Sequence, residues 1–345
     1  MPDGDAIAVV VVSHNSAAHL PDLTAALLSQ LQDGDEVVVV DNLSDDGSAV
    51  VARGLSPRLR VIESGANLGF GAGCHMGAVH STAPLLMFLN PDSVPQPGCL
   101  QRLRAAATTH PDWGAWQAAV MMPDGRINSD GGVIHFLGLG WAGDCGQPAT
   151  RLPREPQEVS FPSGAALVVR RQTWNALGGF DPSYFMYAED LDLGLRLWLS
   201  GSRVGIVPDA VVVHDYEFDK GARKWYWLER NRWRTLLAVY PAPLLTILAP
   251  ALIAAELGLL FISARDGWLS MKLRAQLATL LGLPQLLRRR SSVQSTRRIG
   301  SRSFASHLTA SLDSAHLPIA HVRWAVDIQR LYWFAVRRLL RIVAE

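Results

Sequence analysis

The sequence predicts an α/β fold with a mostly parallel sheet and flanking helices, followed by a mostly helical C-terminal region. The sheet is predicted because short apolar runs alternate with helical patterns up to about residue 215, and buried parallel strands read as continuous apolar runs. The helical region is predicted because the chain then changes to a long apolar run and Arg-rich helical patterns. We therefore expect two domains, residues 1–220 and 221–345.

The first domain opens with a β-α-β pattern, in which two apolar runs flank a helical pattern. The predicted elements up to residue 89 are strand 6–12, helix 18–31, strand 36–40, strand 61–62, helix 73–80 and strand 85–89. Residues 114–161 are less regular. After them the sequence predicts a strand at 165–169, a helix at 189–200 and a strand at 210–213 that ends at His214. A single histidine at a strand end is more often structural than a ligand, so its role depends on its neighbours.

The charge is divided unevenly along the chain. Residues 1–215 contain 12 Lys and Arg against 23 Asp and Glu, a net charge of −11, whereas residues 216–345 contain 20 against 8, a net +12. We expect no nucleic-acid partner, because the first part is acidic and no recognition motif accompanies the basic residues of the second. For the basic part we expect an anionic membrane surface. Three cysteines without C-x-x-C spacing, and no basic residues before the first apolar run, predict a reducing, cytoplasmic location.

Polar side chains follow the predicted strands. Ser13 and Asn15 follow the first strand, Asp41 follows the second, Asn67 lies beyond the third, and Asp92 follows the fourth. Ligands of parallel sheets bind at the carboxyl ends of the strands. The sequence therefore predicts an active site around these five residues.

Familiar nucleotide-binding and hydrolase motifs do not occur. The sequence has no P-loop, H-E-x-x-H or G-x-S-x-G pattern, and the glycine-rich segment 69–73 lacks the third glycine of a dinucleotide-binding loop. These observations exclude P-loop NTPases, zincins and serine hydrolases. The glycines by themselves are equally compatible with close packing of a turn against a helix.

Several acidic residues admit a structural role as well as a functional one. Turns and helix caps favour Asp, which accounts for Asp41 or Asp92 taken singly. Glu189 and Asp190 open a predicted helix, where acidic residues complement the helix N-terminus. Their closeness to Asp192 costs repulsion, however, and a metal, a cation or a catalytic role would justify that cost. A hard cation that holds a diphosphate needs only one or two protein carboxylates.

Six segments in order resemble the motifs of family 2 glycosyltransferases, and within that family those of bacterial rhamnosyltransferase-like members. They are V-V-S-H-N (11–15), V-V-D-N-L-S-D-D-G-S (39–48), N-L-G-F-G-A-G (67–73), F-L-N-P-D-S (88–93), G-G-F-D (178–181) and Y-A-E-D-L-D-L (187–193). The resemblance covers residues 7 to about 215. It implies the GT-A fold, a Rossmann-like, mostly parallel sheet with flanking helices.

The resemblance implies roles for residues around the nucleotide. Asp41 matches the aspartate that contacts the donor base. Ser13, Asn15, Asn67 and Gly69 fall in the loops around the nucleotide. We expect these five residues to bind the donor.

The resemblance also implies a divalent metal, Mg²⁺ or Mn²⁺, and a catalytic base. Asp92 matches the last aspartate of the family's D-x-D metal motif, in which Asn90 replaces the first, and His214 is the second implied metal ligand. Asp190 matches the catalytic base. Gly164 is placed by resemblance beside the donor or acceptor sugar.

The implied function is inverting transfer from a nucleotide-diphosphate sugar to a lipid-linked or cell-surface polysaccharide acceptor, in cell wall or polysaccharide biosynthesis. The subgroup implies dTDP-rhamnose as donor, and UDP- or GDP-sugars are the alternatives. Two other functions stay open. One is a sugar nucleotidyltransferase, although residues 12–20 lack the Gly-rich, Arg- and Lys-containing loop of that class. The other is a catalytically inactive nucleotide-sugar-binding protein.

The C-terminal region contains an apolar run, 235–264, with Glu256 as its only charged residue. The run is long enough to span a bilayer, but its prolines, Pro250 among them, predict breaks, so we expect a segment that lies on or re-enters the membrane. Interspersed Trp and Arg residues at 321–343 predict an interfacial amphipathic helix. We therefore expect attachment to the cytoplasmic face of the cell membrane. The alternative is a soluble helical subdomain or a homodimer interface.

Overall fold

The computed structural model describes residues 6–215, 221–312 and 323–343. These residues divide into two compact units. The first consists of residues 6–132, 142–194 and 202–215, and the second of 133–141, 195–201, 221–312 and 323–343. The predicted domain boundary near residue 220 falls in 216–220, outside the described residues, and stays a prediction.

The first unit is built on a ten-stranded mixed sheet. The strands are β1 (Ile7–Ser13), β2 (Glu36–Asp41), β3 (Leu59–Glu63), β4 (Leu85–Leu89), β5 (Ser93–Pro95), β6 (Trp113–Met121), β7 (Ile127–Ser129), β8 (Gly132–Ile134), β9 (Gly140–Ala142), β10 (Gln157–Glu158), β11 (Ala166–Arg170) and β12 (Arg203–His214). Eight of them follow the order β10-β12-β6-β11-β4-β1-β2-β3, β5 pairs with β12, and β7 pairs with β6. Strands β8 and β9, most of whose residues belong to the second unit, form a separate ladder. The helices up to residue 199 are α1 (Leu20–Leu28), α2 (Ser48–Leu55), α3 (Phe70–Val79), α4 (Cys99–Thr109), α5 (Arg171–Leu177) and α6 (Glu189–Leu199).

The parallel half of the sheet confirms the predicted alternation. Strands β3, β2, β1 and β4 are neighbours and all run parallel. Every residue of β1 and of β4 is buried, which explains why both read as continuous apolar runs. Helix α3 packs closely on β1 because Gly73 and Gly77 have no side chain. A Cβ at Gly73 would lie 2.6 Å from Val12 Cγ1, and one at Gly77 would overlap Val10.

The other half of the sheet, in which β12 pairs parallel with β6 and the remaining pairs are antiparallel, is where the sequence prediction is incomplete. The segment 114–161 contains β6, whose nine residues are all buried. Strand β12 begins seven residues before the predicted strand at 210–213. Its pairing with β6 shifts register between Val207 and Val211. Pro208 lies in that interval and has no N–H to donate to a neighbouring strand, which explains the interruption.

The second unit is helical. Its helices after residue 220 are α7 (Arg223–Val239), α8 (Ala242–Arg265), α9 (Leu269–Leu281), α10 (Leu283–Ser295), α11 (Ser301–Ala305) and α12 (Arg323–Val343). Helix α7 packs against α9 and α10, and α8 packs against α9, α11 and α12. Helix α12 matches the amphipathic helix predicted at 321–343, and Trp333, Val336 and Leu340 form its buried face.

Helix α8 differs from the prediction for the apolar run at Pro250. Pro250 lies inside α8 and does not end it, so the expected break there is wrong. An internal proline removes one backbone hydrogen bond, and the remaining turns of this 24-residue helix continue past it. Pro243 lies in the first turn, where its missing N–H has no intrahelical acceptor anyway. By length and composition alone α8 could cross a membrane, because its 24 residues are almost all apolar and Glu256 is its only charged residue before Arg265.

Candidate active site

The carboxyl ends of four parallel strands lie at one edge of the sheet. Ser13 at the end of β1 is in register with Asp41 at the end of β2, and Asp41 is in register with Glu63 at the end of β3. On the other side of β1, Val11 is in register with Leu89 at the end of β4. The loops that follow these four strands therefore share this edge, as the sequence predicts.

Among the residues that the structure describes, two buried oxygens at this edge have no hydrogen-bond partner. Asp41 Oδ2 accepts a hydrogen bond from the Ser44 N–H at 3.1 Å. Asp41 Oδ1 and Ser13 Oγ are both buried and have no hydrogen-bond partner among the described residues. A buried polar atom without a partner costs free energy, so a ligand that supplies partners at these atoms is favoured.

Asn15 joins the loops that follow β1 and β2. Its backbone has a φ of 53°, in the left-handed region that Asn tolerates better than most residues. Its N–H donates to Ser44 Oγ at 3.0 Å, and its Oδ1 accepts from the Asp45 N–H at 2.9 Å. The Asn15 amide oxygen therefore fixes the shape of the loop that carries Asp41.

The glycine-rich segment is held by Asn42, which the sequence analysis did not single out. Asn42 Nδ2 donates to Asn67 Oδ1 at 3.2 Å, and Asn42 Oδ1 accepts from the Leu68 N–H at 2.9 Å. Asn67 Oδ1 also accepts from the Gly69 N–H at 3.1 Å. Gly69 has a φ of 81°, and a Cβ there would overlap the backbone of Phe185. The segment therefore requires glycine at this position.

Asp92 and His214 are brought together by antiparallel pairing of β5 with β12, in which Ser93 is in register with His214. Asp92 Oδ1 lies 3.1 Å from His214 Nε2, and Asn90 Nδ2 lies 3.4 Å from the same nitrogen. The side chain of His214 is 4% exposed and that of Asp92 is 24% exposed. Burial raises the pKa of Asp92, but the hydrogen bond and the charge of His214 lower that pKa by more, so the net pKa is below its ordinary value.

This pair has the chemistry of a partial cation site. Carboxylate and imidazole are both common ligands of divalent metals. The part of the chain that the structure describes contains no group of three or more His, Cys, Asp or Glu residues placed to hold a metal ion. The residues fit a cation that takes two ligands from the protein and the rest from a diphosphate and water.

Asp190 lies in the first turn of α6, and two backbone N–H groups hold its carboxylate. Its Oδ2 accepts from the Gly164 N–H at 2.9 Å, and its Oδ1 accepts from the Leu191 N–H at 2.7 Å. The carbonyl of Ala165, which follows Gly164, accepts a hydrogen bond from the Asn90 N–H at 3.2 Å. This bond places the Gly164–Ala165 segment at the carboxyl end of β4. Burial raises the pKa of Asp190 above its ordinary value, although both backbone hydrogen bonds lower it. A raised pKa makes this carboxylate a stronger base.

The neighbours of Asp190 have different environments. Glu189 is buried, and its Oε2 has no hydrogen-bond partner among the described residues. Burial, followed by the charge of Asp190, raises the pKa of Glu189 to about 8. Asp192 is fully buried and accepts from the Tyr184 hydroxyl at 2.9 Å. Asp192 is therefore placed for a structural role.

The segment before Glu189 is strained. Phe185, Tyr187 and Ala188 have φ values of 65°, 66° and 65°. Such conformations of non-glycine residues cost about 1–3 kcal/mol each and concentrate at functional sites. The Phe185 carbonyl accepts from the Phe70 N–H at 2.7 Å, which ties this segment to the start of α3. No residue type in this segment predicts these φ values from the sequence.

Comparison with known proteins identifies the family of the chain. The sequence profile of glycosyl transferase family 2 matches residues 8–168. An N-acetylglucosaminyl-diphospho-decaprenol L-rhamnosyltransferase of Mycobacterium tuberculosis is 34% identical over 233 residues, which are 61% of this chain and 76% of that protein. The chain belongs to glycosyl transferase family 2. A second relative is the O-antigen biosynthesis protein RfbC of Myxococcus xanthus, 28% identical over 67% of this chain and 19% of that protein.

A solved structure supports the GT-A fold predicted for this family 2 chain. The crystal structure of GalNAc-T7 with UDP, GalNAc and Mn²⁺ superposes with a TM-score of 0.55 at 17% identity. The superposition covers 69% of this chain and 48% of the other. The predicted fold class is therefore confirmed.

The predicted site residues of this family 2 chain lie in three groups within the first unit. The groups are Ser13, Asn15 and Asp41 with the Asn67–Gly69 loop, then Asp92 with His214, and then Asp190 with Gly164. Gly164 was predicted beside a sugar, and its N–H is directed to the Asp190 carboxylate. The ligand roles of all these residues stay predictions.

Proposed function

We propose that this family 2 glycosyltransferase transfers rhamnose from dTDP-rhamnose to a lipid-linked saccharide with inversion at the anomeric carbon. The observation that carries the proposal is Asp190, a carboxylate held by two backbone N–H groups at the same strand edge as Asp92 and His214. The choice of sugar and acceptor is supported by the Mycobacterium tuberculosis relative, which is named for rhamnosyl transfer to N-acetylglucosaminyl-diphospho-decaprenol. UDP- and GDP-sugars are the alternative donors.

The donor base binds at Asp41 and Ser13. Asp41 Oδ1 is available to accept an N–H of the base, and Ser13 Oγ can both donate and accept. Each new hydrogen bond satisfies an atom that is otherwise buried without a partner, so the donor gains affinity at this position. Asn15 and Asn42 hold the two loops in shape before the donor arrives.

Asp190 accepts the proton of the acceptor hydroxyl as the hydroxyl oxygen attacks the anomeric carbon. The bond to the diphosphate breaks on the opposite face of the sugar, and the configuration inverts in one step. General-base catalysis contributes on the order of 10²- to 10⁴-fold to the rate. The Gly164 and Leu191 N–H groups keep the carboxylate in one orientation during the reaction.

Asp92 and His214 would hold a divalent cation, Mg²⁺ or Mn²⁺. Bound there, the cation would offset the charge that develops on the leaving diphosphate. The GalNAc-T7 structure, which contains Mn²⁺, supports this part of the proposal at the level of the shared fold. Asn90 Nδ2 lies 3.4 Å from His214 Nε2, the ring nitrogen that also faces Asp92, so the Asn90 side chain borders the proposed cation position.

The second unit docks the enzyme on the cytoplasmic face of the cell membrane, where a lipid-linked acceptor is found. The support is the net charge of +12 over residues 216–345, together with the apolar helix α8. A homodimer interface is the alternative use of this unit.

Thermal stabilisation of the purified full chain tests the donor assignment. We expect dTDP-rhamnose with Mg²⁺ to raise the Tm more than dTDP-rhamnose alone, and more than UDP- or GDP-sugars do, because binding to the folded state stabilises it. Stabilisation by another nucleotide sugar would replace the donor in the proposal. Stabilisation without turnover would instead favour an inactive nucleotide-sugar-binding protein.

A further inference from the structure

Four charged side chains form a buried network that joins α7, α8 and α9. Arg232 of α7 binds Glu256 of α8, and its Nε lies 2.9 Å from Glu229 Oε1. Lys272 of α9 binds Glu229, and its Nζ lies 2.9 Å from Glu256 Oε2. Gln276 Nε2, also on α9, donates to Glu256 Oε2 at 2.8 Å. Two acids and two bases leave the network with no net charge.

The network is buried and its members are fully paired. Lys272 has no exposed surface, and Glu229 and Arg232 are buried as well. Burial raises the pKa of Glu229, but the charges and hydrogen bonds of Arg232 and Lys272 lower it by more, so the net pKa is below its ordinary value. Removing one member would leave a buried charge unpaired, so the three helices are constrained to keep their contacts.

Glu256 lies in the middle part of α8. At about 1.5 Å per residue, it is about 21 Å from Ala242 and about 14 Å from Arg265 along the helix axis. If α8 spanned a bilayer, Glu256 would lie within a hydrocarbon core about 30 Å thick, and Arg232 and Lys272 would have to lie there with it. Besides Arg232, helix α7 also carries Lys224, Arg230 and Arg234, which would be drawn towards the same depth. Charges at such depth are costly.

The two long faces of α8 have different surroundings. Leu244, Leu248 and Leu252 recur every four residues, are buried in the unit, and lead in the same stripe to Glu256. Ile253, Leu257 and Phe261 form a second stripe, one residue further along and so about 100° around the helix from the first. These three side chains are 64%, 64% and 70% exposed. The first stripe is covered by protein, and the second is an apolar surface that nothing in the described chain covers.

The neighbouring helices α9 and α12 carry similar exposed stripes. On α9, the side chains of Leu273, Leu277 and Leu280 are each at least half exposed. On α12, Leu331 and Ile342 are exposed to 70% and 77%. Exposed arginines accompany these stripes, namely Arg274, Arg330, Arg337 and Arg338. Apolar stripes flanked by basic residues fit a membrane interface with anionic headgroups.

We infer that α8 lies in the plane of the membrane interface, with the stripe of Ile253, Leu257 and Phe261 in the acyl region, and does not span the bilayer. The inference rests on the membrane docking proposed above and specifies its geometry. The Glu229–Arg232–Glu256–Lys272 network holds α8 on α7 and α9, and the second stripe supplies the surface that enters the lipid.

Cysteine accessibility in sealed inside-out membrane vesicles tests this topology. Ser292→Cys places a thiol at an exposed position of α10, two residues after Arg290, which donates to the Tyr240 carbonyl just before α8. Asp266→Cys places one at an exposed position just after the other end of α8, and both are made in a full chain in which Cys145 is replaced by Ser. Cys74 and Cys99 are buried and serve as the unlabelled background. We expect a membrane-impermeant maleimide to label both ends without detergent, because both ends lie on the cytoplasmic side. Leu257→Cys should be protected until detergent is added.

Three other results would contradict the inference. If one end of α8 is labelled only after detergent, α8 spans the bilayer, and the inference is wrong while the membrane docking stands. If Leu257→Cys is labelled as fast as the two ends, its stripe is not in lipid, and the inference is also wrong. If the full chain stays in the soluble fraction at low salt, the proposed docking itself fails, and the inference fails with it.

Discussion

Replacing Asp190 by Asn separates the catalytic from the structural contribution of this carboxylate. The carboxylate accepts two backbone N–H groups, from Gly164 at 2.9 Å and from Leu191 at 2.7 Å. A carboxamide has one acceptor oxygen, so one of these N–H groups would face the NH₂ group. Leaving a partly buried donor unpaired lowers the free energy of unfolding by about 1–3 kcal/mol. Because the amide cannot take up a proton, turnover should fall by about 10²- to 10⁴-fold.

The assay pairs Asp190→Asn with the matched variant Asp192→Asn. Asp192 is fully buried on the same helix and accepts from the Tyr184 hydroxyl, which a carboxamide oxygen can still accept. Initial rates, donor affinity by calorimetry and urea unfolding are measured for both variants. We expect Asp190→Asn to keep donor affinity and lose turnover, and Asp192→Asn to keep most of its turnover. Near-normal turnover in Asp190→Asn, or an equal loss in Asp192→Asn, would refute the assignment of the base.

Three further predictions address the metal, the acidic pair and the buried network. Asp92→Ala should weaken donor binding, measured by calorimetry, more in the presence of Mg²⁺ than in its absence, because a cation would bridge the carboxylate and the diphosphate. Glu189 has a pKa of about 8 in the folded chain against 4.5 for the ordinary group, so the folded state holds its proton more tightly. The free energy of unfolding should therefore fall as pH rises from 4.5 to 8, and Glu189→Gln should reduce this dependence in urea titrations. Lys272→Met should lower the free energy of unfolding by about 3–5 kcal/mol, because Lys272 is a buried partner of two carboxylates, whereas Arg274→Met at an exposed position of α9 should change it by less than about 0.5 kcal/mol.

Clear results would contradict each of these three. Equal weakening of donor binding by Asp92→Ala with and without Mg²⁺ would remove the metal from this position. An unchanged pH dependence in Glu189→Gln would mean that another group titrates in this range. Similar stability losses in Lys272→Met and Arg274→Met would show that the network does not hold the helices together.

The parallel strands were predictable because burial on both faces leaves a direct trace in the sequence. Strand β4 was predicted with its observed ends, and β1 and β2 within one residue. Strand β6 was missed although it is fully buried, because the polar Gln117 interrupts its apolar run. The Gln117 side chain accepts from the Ser163 N–H at 2.6 Å and donates to the Ala118 carbonyl at 2.9 Å. Local periodicity cannot reveal that a distant loop satisfies a buried amide.

Candidate site residues could be proposed from the sequence, but the geometry that brings them together could not. Asp92 and His214 are far apart in the sequence, and they meet because β5 and β12 pair in antiparallel register. The role of Asn42 in holding the glycine-rich segment depends on hydrogen bonds across two loops. The direction of the Gly164 N–H towards Asp190 likewise appears only in three dimensions. Sequence patterns identify chemistry at strand ends, whereas long-range pairing decides which groups face one another.

The most direct test of the central claim is the configuration of the product. The full chain is incubated with dTDP-rhamnose, Mg²⁺ and N-acetylglucosaminyl-diphospho-decaprenol or a shorter-chain analogue, and the anomeric configuration of the new linkage is determined by NMR. We predict a rhamnosylated product with configuration opposite to that of the donor, formed by the unmodified chain and lost in Asp190→Asn. A product that retains the donor's configuration, or undiminished product formation in Asp190→Asn, would contradict inverting transfer with Asp190 as the base.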